Sequence, residues 1–303
     1  VLGTFDPTLI ENGLWTLRIE VTDSLARTTV SETAMVLDGM MKLGTYELAF
    51  RDAEWTSPIS TTSMLRTYST TRKDIVGDFG NGWQLSMSDV TIATNGPLGE
   101  GGWGQVGCGG GGGPFGALCF ETTQPHIVVV KWPGGRIDSF DFAPPPGSTW
   151  FPAVGLAEYT ARPGTFSTLT PLAWDETFTT YNDGHLYTDL SFTNFYDPQQ
   201  FVLTDLDGTT YLLDVDRGLV EFTDFRGNTT RFTADGIVPD IGSGVDFIRD
   251  ASKRITSMLL PDGSTLQYVY DGAGDLVQAI DGEGGVVDFG YDAEHRLVDY
   301  NIA

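Results

Sequence analysis

The chain has 303 residues, a formal net charge of −24 and 12% aromatic residues. Nucleic acids and anionic membrane surfaces are polyanions, so such an acidic chain is not expected to bind either of them. No apolar window reaches the roughly 18 residues that a transmembrane helix needs, and no signal peptide is visible. The opening residues have the character of mid-protein sequence. We therefore expect a fragment or processed piece of a secreted or cell-surface protein.

The apolar residues predict an all-β fold. They occur in short alternating runs that Gly, Asn, Asp and Pro interrupt, and Gly alone accounts for 38 residues. Alternation with a period of two is typical of strands with one buried face, whereas no helical pattern extends beyond about three turns. Three domains are expected, namely residues 1–37, 38–206 and 207–303.

Residues 1–37 predict a β-hairpin with one apolar face. Alternation places four large side chains on that face: Trp15, Leu17, Ile19 and Val21. The hairpin resembles the last strands of a bacterial immunoglobulin-like module, which implies a β-sandwich-like N-terminal segment. A hairpin alone is too small to form a core. It must pack on the rest of the chain, or pair with a further copy, because an unpaired strand edge is a template for another chain.

The second predicted domain contains a Gly-rich surface loop at residues 96–119, with Cys108 and Cys119 inside it. In an oxidising compartment these cysteines would close the loop as a disulfide, with a stabilisation of about 3 kcal/mol. Two reduced thiols are the alternative. A metal site is less favoured, because only His126 is near enough in sequence to add a third ligand.

Five Gly–Asp pairs mark a series of repeats in residues 207–303. In each pair the Gly precedes the Asp by eight residues, and the pairs are Gly208/Asp216, Gly227/Asp235, Gly242/Asp250, Gly263/Asp271 and Gly284/Asp292. Successive glycines are 19, 15, 21 and 21 residues apart. A strand lies between each Gly and its Asp, and a turn with a second strand follows. Each unit is therefore predicted to be a β-hairpin that must stack on its neighbours to bury its apolar face.

The last two units carry Tyr270-Asp271 and Tyr291-Asp292, and they resemble the YD repeats of the RHS family. That family includes bacterial polymorphic toxins, the shell components of insecticidal Tc toxins, and animal teneurins. Upstream, the stretches 42–44, 50–52, 66–69 and 78–83 are similar to the start of the shell in bacterial members. The resemblance implies stacked hairpins in a long, curved or spiralling sheet that forms part of a hollow shell. The tyrosines would then stack along the strip, as register marks of the repeat.

The repeated aspartates are predicted to be turn residues. An Asp caps its own backbone at a turn, and the following Gly supplies a positive φ. The acidic spacings at Asp205-x-Asp207 and Asp214-x-Asp216 resemble pieces of Ca²⁺-binding loops. The glutamate that completes an EF-hand loop is missing, so Ca²⁺ is the less favoured alternative and no cofactor is expected.

No catalytic motif is recognisable in the sequence, and we expect no enzyme activity. A Ser-His-Asp triad would require His126, His185 or His295, and no Gly-x-Ser-x-Gly elbow is present. Paired carboxylates are a weak indication in so acidic a chain; Asp175, Glu176 and Glu283 are the nominal candidates. No catalytic, cofactor-binding or metal-binding residue is therefore predicted.

The sequence favours a non-catalytic scaffold, part of a secreted RHS shell or cell-surface protein. The alternatives are an adhesion or carbohydrate-binding module and a subunit of an extracellular filament assembled by strand pairing. The first alternative draws on the seven tryptophans, which are Trp15, Trp55, Trp83, Trp103, Trp132, Trp150 and Trp174. The expected partners are a protein or glycan surface, or further copies of the chain.

Overall fold

A computed structural model describes residues 4–39, 46–56, 61–107, 118–145, 153–172 and 175–302. Within these residues the secondary structure consists of β-strands and four short 3₁₀ helices, with no α-helix. The predicted all-β class is confirmed. The 3₁₀ helices are Pro7–Leu9, Thr70–Arg72, Ser86–Asp89 and Pro133–Gly135.

The strands in chain order are β1 (Gly13–Thr22), β2 (Thr28–Leu37), β3 (Glu47–Thr56), β4 (Thr61–Ser69), β5 (Val76–Gly77), β6 (Gly80–Asn81), β7 (Trp83–Leu85), β8 (Thr91–Thr94), β9 (Trp103–Gly107), β10 (Leu118–Thr122), β11 (Ile127–Lys131), β12 (Ile137–Phe142), β13 (Ala153–Leu156), β14 (Tyr159–Ala161), β15 (Thr168–Pro171), β16 (Thr177–Thr180), β17 (Gln200–Thr204), β18 (Thr210–Asp214), β19 (Gly218–Thr223), β20 (Thr229–Thr233), β21 (Gly236–Pro239), β22 (Val245–Arg249), β23 (Ile255–Leu259), β24 (Thr265–Tyr270), β25 (Leu276–Ile280), β26 (Val286–Tyr291) and β27 (Leu297–Ile302).

The chain forms two compact units, and each combines separate stretches of sequence. The first unit contains Val1–Glu11, Met41–Val90 and Leu219–Ala303, and the second contains Asn12–Met40 and Thr91–Gly218. The three predicted domains are consecutive segments of sequence, and their boundaries stay predictions.

In the first unit, β19 to β27 hydrogen-bond to one another in chain order, so every strand in the interior of this series lies between its two sequence neighbours. The strands are antiparallel, as hairpins joined by short turns require. The glycines at 227, 242, 263 and 284 lie in turns at one end of the hairpins, and the aspartates at 235, 250, 271 and 292 lie in turns at the other end. Stacked hairpins are therefore confirmed.

A β-bulge recurs in the last three hairpins at the same place in each repeat. The register shifts between Ile248 and Arg249, between Val269 and Tyr270, and between Gly290 and Tyr291. The extra residue lies on the following strand, as Val277 does in β25. A bulge offsets the alternation of side chains by one residue. As a result Leu276 and Ala279, three positions apart, are both buried.

The core of the first unit lies between the repeats and a three-stranded sheet of β3, β4 and β7. Trp83 and Tyr68 from this sheet are fully buried and lie against the repeat residues Phe289 and Tyr291. The ring centroids of Trp83 and Phe289 are 5.1 Å apart in an edge-to-face arrangement. Replacing a fully buried Trp by Ala costs about 3–5 kcal/mol, so this contact stabilises the packing strongly.

The second unit contains a four-stranded sheet in the order β14-β12-β11-β8, together with smaller sheets. The predicted N-terminal hairpin is present as β1 paired with β2. One of its faces packs on β11 and β12, where Leu14 and Val36 contact a cluster of Ile127, Val129 and Ile137. The other face carries the predicted stripe of Trp15, Leu17, Ile19 and Val21, each at least 40% exposed.

Candidate functional site: the repeat turns and segment 78–83

The aspartates at the turns accept backbone hydrogen bonds from the residues that follow them. Asp271 is representative, because one of its carboxylate oxygens lies 2.9 Å from the backbone nitrogens of Ala273, Gly274 and Asp275. The same arrangement, with the amides two and four residues ahead, occurs at Asp224, Asp250, Asp281 and Asp292. These carboxylates therefore serve the turn, as the sequence predicts.

The fourth residue of each such turn has a left-handed backbone. Gly227 and Gly284 have φ values of 87° and 90°, which glycine adopts without a steric penalty. Lys253 and His295 occupy the equivalent positions with φ values of 65° and 60°. A side chain at such a position costs free energy, so these two turns are formed against a local backbone preference.

The tyrosines of the last two repeats tie each hairpin to the one before it. The hydroxyl of Tyr291 donates to the carbonyl of Leu276 at 2.9 Å, and that of Tyr270 donates to the carbonyl of Ile255. In both cases the acceptor lies 15 residues upstream. Burial raises the pKa of both hydroxyls above the ordinary tyrosine range, so the donating protonated form persists at neutral pH.

Segment 78–83 (Asp-Phe-Gly-Asn-Gly-Trp) binds the turn of the Asp271 repeat through buried polar groups. The side-chain amide of Asn81 lies 2.9 Å from Asp275 Oδ1, and its backbone N–H donates to the carbonyl of Gly274 at 3.3 Å. His295 Nδ1 lies 2.9 Å from both oxygens of the same carboxylate. Asp275 is 3% exposed and Asn81 6%, so each satisfies a polar group of the other in a site that excludes water.

Glycine is required at the position before Asn81. A Cβ on Gly80 would lie 2.4 Å from the carbonyl oxygen of Gly274, with the ring of Tyr270 3.3 Å away. The backbone of the segment is thus in direct contact with the repeat turn. The three glycines in six residues at 77–82 indicated such a close approach without identifying its partner.

Both ends of the segment are also anchored on the repeats. Trp83 Nε1 donates to the hydroxyl of Tyr291 at 2.6 Å. At the other end, the carbonyl of Asp78 accepts from the backbone of Ile255 at 2.7 Å, and the carboxylate of Asp78 lies 2.8 Å from the guanidinium of Arg249. Segment 78–83 therefore contacts three successive hairpins.

A buried ion pair lies next to the segment. Arg66 is 1% exposed and donates from Nε and Nη2 to the two carboxylate oxygens of Asp52, both at 2.9 Å. Burial acts to lower the pKa of Arg66, but the carboxylate of Asp52 outweighs it and the pKa is raised. Tyr268 donates to the same carboxylate at 2.8 Å.

Aromatic rings surround the buried guanidinium. Its central carbon lies 4.8 Å from the ring centroid of Trp83, 5.1 Å from that of Phe289 and 5.2 Å from that of Phe50. Arg66 Nη1 makes no hydrogen bond within the described residues. The negative faces of these rings are the environment that such a donor requires when no oxygen is in reach.

The structure separates the repeat-defining aspartates into two groups. Asp250, Asp271 and Asp292 are the first residues of their turns and cap them. Asp216 and Asp235 are third residues: the N–H of Asp216 donates to Asp214, and that of Asp235 donates to the hydroxyl of Thr233. Gly208 and Gly242 have φ values of 85° and 94° and also lie in turns.

The histidines and the nominal carboxylates do not converge on a catalytic constellation within the described residues. His126 is buried and stacks on Trp103, and His185 Nδ1 accepts from the backbone of Gly101 at 2.9 Å. His295 lies in the first unit, against Asp275. Burial raises the pKa of Asp175, and Glu283 lies in the exposed turn that Asp281 caps.

No group of three or more His, Cys, Asp or Glu side chains that could hold a metal ion occurs in the described part of the chain. Cys119 lies in β10, whereas Cys108 is outside the described residues, so the Cys108–Cys119 disulfide stays a prediction. Among the tryptophans, Trp83 and Trp103 are buried and take part in packing. The side chains of Trp55, Trp150 and Trp174 are outside the described part.

The residues that sequence reasoning missed are Asp52, Arg66, Asn81 and Asp275. Asp52, Arg66 and Asn81 lie in stretches that resemble the start of the shell, but the resemblance does not identify their contacts. Asn81 meets Asp275 across 194 positions, and Asp52 meets Tyr268 across 216. The available signal was chemical, since Arg66 is the one charged residue of the strand TTSMLRTYS, and an arginine that becomes buried needs an acidic partner.

Comparison with known proteins identifies the repeats. Residues 249–286 and 270–300 match the RHS Repeat family. A search of the curated proteins found no match for the chain. No helix in the described residues is long and apolar enough to cross a membrane. The matched residues are the hairpins in which Tyr270 and Tyr291 tie one repeat to the next, and this part of the chain is similar to the RHS, or YD-type, repeats.

Proposed function

We propose that the chain is a non-catalytic scaffold, part of a secreted RHS shell or cell-surface protein that acts through its folded β surface. The observation that carries this proposal is the internal use of the repeat side chains. The hydroxyls of Tyr270 and Tyr291 bond to backbone carbonyls of the preceding hairpin, and Asp271 and Asp292 cap turns. RHS repeats are typical of extracellular or surface proteins, which supports the location.

Within the described residues of the first unit, the polar network around Asp275 resembles an acid–base pair, and its contacts also support a structural role. A general base must reach the proton that it removes. The carboxylate of Asp275 is buried and is shared between Asn81 and His295. The carbonyl of His295 accepts the hydroxyl of Tyr68 at 2.9 Å. These bonds hold the Asp292 turn against the three-stranded sheet.

Location and lack of catalysis are tested separately. For location, we expect peptides of this chain to be detected in the culture medium, or to be released when intact producer cells are treated with a protease. Recovery only after cell lysis contradicts a secreted or surface position.

For catalysis, we expect no turnover of p-nitrophenyl esters or glycosides by the purified chain. A turnover that the His295→Gln variant loses would identify an enzyme instead.

Assembly through the N-terminal hairpin is the second candidate function. The strands β1 and β2 form a two-stranded sheet, and Leu17, Ile19 and Val21 are 40–57% exposed on one face. An exposed apolar sheet face and unpaired strand edges favour contact with another β structure. Sedimentation over a range of concentrations tests this candidate. Polymers that the Ile19→Lys variant abolishes support it, and a monomer at every concentration contradicts it.

A further inference from the structure

The distal part of the N-terminal hairpin extends beyond the sheet on which the hairpin packs. Leu14, Ala34 and Val36, at the base of the hairpin, contact the apolar cluster on β11 and β12. Residues 15–33, which include the turn between β1 and β2, are all exposed. A two-stranded hairpin is at best marginally stable in water. A further layer on this distal part would therefore stabilise it.

The two faces of the distal hairpin differ in chemistry. On one face, Arg18 forms ion pairs with Glu20 at 3.1 Å and, across the strands, with Glu32 at 3.6 Å. The other face, here called the outer face, has no charged residue and consists of Leu17, Ile19, Val21, Thr29, Ser31 and Thr33. An antiparallel sheet commonly turns a polar face to water and an apolar face to another layer. The outer face is therefore the one expected to be covered.

The outer face has one row of large side chains and one row of small ones. Leu17 and Ile19 on β1 are each 40% exposed, and Val21 is 57% exposed. The residues directly opposite these three on β2 are smaller, and they are Thr33, Ser31 and Thr29. Packed layers interdigitate when large side chains face small ones. A partner that fits this face therefore places its own large row over β2 and its small row over β1.

A second copy of the chain supplies that arrangement. A two-fold axis that runs parallel to the strands, midway between two outer faces, places β1 of each copy over β2 of the other. Leu17 of one copy then lies over Thr33 of the other, because the two residues are at the same level in the hairpin. A two-fold interface uses the same patch of both copies, as this one does. The contact with β11 and β12 is on the opposite face of the hairpin, so these strands do not cover the outer face.

We propose that the outer face binds the outer face of a second copy, so that two hairpins form a four-stranded β-sandwich with its sheets about 10 Å apart. This inference rests on the assembly candidate and names its contact, which is a sheet face rather than a strand edge. Two chains that each carry a net charge of −24 repel each other. Salt screens that repulsion, and the outer face has no charged group whose attraction salt could weaken. The pair should therefore become stronger as the salt concentration rises.

Sedimentation equilibrium of the full chain tests the proposal. The face is smaller than a standard protein interface, so we expect a monomer–dimer equilibrium with a Kd on the order of 10 µM. Leu17→Lys should weaken the pair about hundredfold, because the two-fold axis puts the substitution in the interface twice. Val30→Lys is the matched control, since Val30 is 43% exposed in the same hairpin but lies opposite Glu20 on the charged face. This variant should dimerise as the parent does.

A mixture of two variants tests how the copies are arranged. Thr33→Glu alone should also weaken the pair, because it places a carboxylate against Leu17 of the other copy. When Leu17→Lys is mixed with Thr33→Glu, the introduced lysine of one copy lies over the introduced glutamate of the other, and the second contact of the pair is unchanged. The mixture should therefore associate within about tenfold of the parent's Kd. All the substituted residues are exposed, and urea midpoints equal to the parent's show that each variant is folded.

Several outcomes would overturn the proposal, and they separate it from the proposed functions. A monomer at every concentration removes the pair and the assembly candidate together. Association that Leu17→Lys leaves unchanged, or that salt weakens, removes the face contact but leaves assembly by another contact. Failure of the mixed variants to associate, although the parent does, contradicts the two-fold arrangement. The scaffold proposal is independent of all these results, because location and turnover test it.

Discussion

The side-chain amide of Asn81 lies 2.9 Å from the carboxylate of Asp275, although 194 positions separate the two residues in the chain. This bond joins the segment before the repeats to the turn of a late repeat. Both residues are buried. Water therefore cannot replace either partner of this hydrogen bond. Removing one partner is expected to lower the free energy of unfolding strongly.

We expect Asn81→Ala to lower the free energy of unfolding by about 2–3 kcal/mol, because it leaves a buried carboxylate with one donor fewer. Urea denaturation followed by circular dichroism measures the change. Asn228→Ala is the matched control, since the amide of Asn228 bonds to Asp224 in a solvent-accessible turn at 2.9 Å. It should cost less than about 1 kcal/mol. Equal costs for the two variants would contradict a special role of the Asn81 contact.

Removal of the repeat hydroxyls should destabilise the hairpins. Tyr270→Phe loses a donor to a backbone carbonyl of the preceding hairpin and should cost about 1–1.5 kcal/mol. Tyr291→Phe loses the equivalent donor and also leaves the buried Nε1–H of Trp83 without its acceptor, so it should cost more, about 2–3 kcal/mol. Tyr300→Phe serves as the control, because Tyr300 is 44% exposed and packs through its ring on Phe50. We expect it to unfold at the parent's urea concentration. A shift of similar size in all three variants would argue against the inter-repeat bonds.

The left-handed turn position can be tested with two opposite substitutions. A Cβ at Gly227 meets no atom within 4 Å, so Gly227→Ala isolates the backbone cost, and we expect a loss of about 1 kcal/mol. Lys253 has a side chain at the equivalent position, and Lys253→Gly should be neutral or stabilising by up to about 1 kcal/mol. Thermal unfolding of both variants measures the difference. Destabilisation by Lys253→Gly greater than by Gly227→Ala would contradict the assignment of strain.

Stability should fall between pH 6.5 and pH 4 because of His126. Burial lowers the pKa of His126 to about 4, whereas the unfolded chain takes up the proton near pH 6.5. The unfolded state therefore binds more protons in this window, and folding weakens as the pH falls, by at most about 3 kcal/mol. Above pH 6.5 His126 is neutral in both the folded and the unfolded chain, so none of this stability is lost.

The variant that tests this pH dependence is His126→Phe, which keeps a ring to stack on Trp103. It should reduce the loss of stability between pH 7 and pH 4.5, as measured by urea midpoints at the two values. His185→Phe is the comparison, because His185 is only partly buried. An equally steep pH profile for His126→Phe and the parent would show that other groups cause the loss.

The hairpin repeats could be predicted because their determinants are local. A turn of five residues that begins with Asp and has Gly in fourth place is recognisable in any sequence. So are strands of alternating apolar residues between such turns. The last three glycines of the series, Gly242, Gly263 and Gly284, repeat these local determinants every 21 residues. The family resemblance of Tyr270-Asp271 and Tyr291-Asp292 rests on the same feature.

The contacts of Asn81 with Asp275 and of Asp52 with Tyr268 could not be predicted, because they join segments that are 194 and 216 positions apart in the chain. The sequence shows two glycines within Asp78–Trp83 and a third, Gly77, just before it. It does not show which backbone approaches these glycines. The same limit applies to the aspartates. The pattern treated Asp235 and Asp250 alike, whereas a hydroxyl of Thr233 takes the capping position before Asp235.

The tyrosine bonds give the series of repeats a direction. Tyr270 reaches back to the strand of Ile255, and Tyr291 reaches back to that of Leu276. The hairpin that contains Ile255 thus supplies an acceptor to the next, and the hairpin that contains Leu276 does the same for the last. A hairpin that forms early offers a complete docking edge to its successor, whereas a later hairpin that forms first has a donor without an acceptor. For Tyr270 and Tyr291, growth from the N-terminal side is therefore the order in which each hydroxyl finds its acceptor as soon as it is buried.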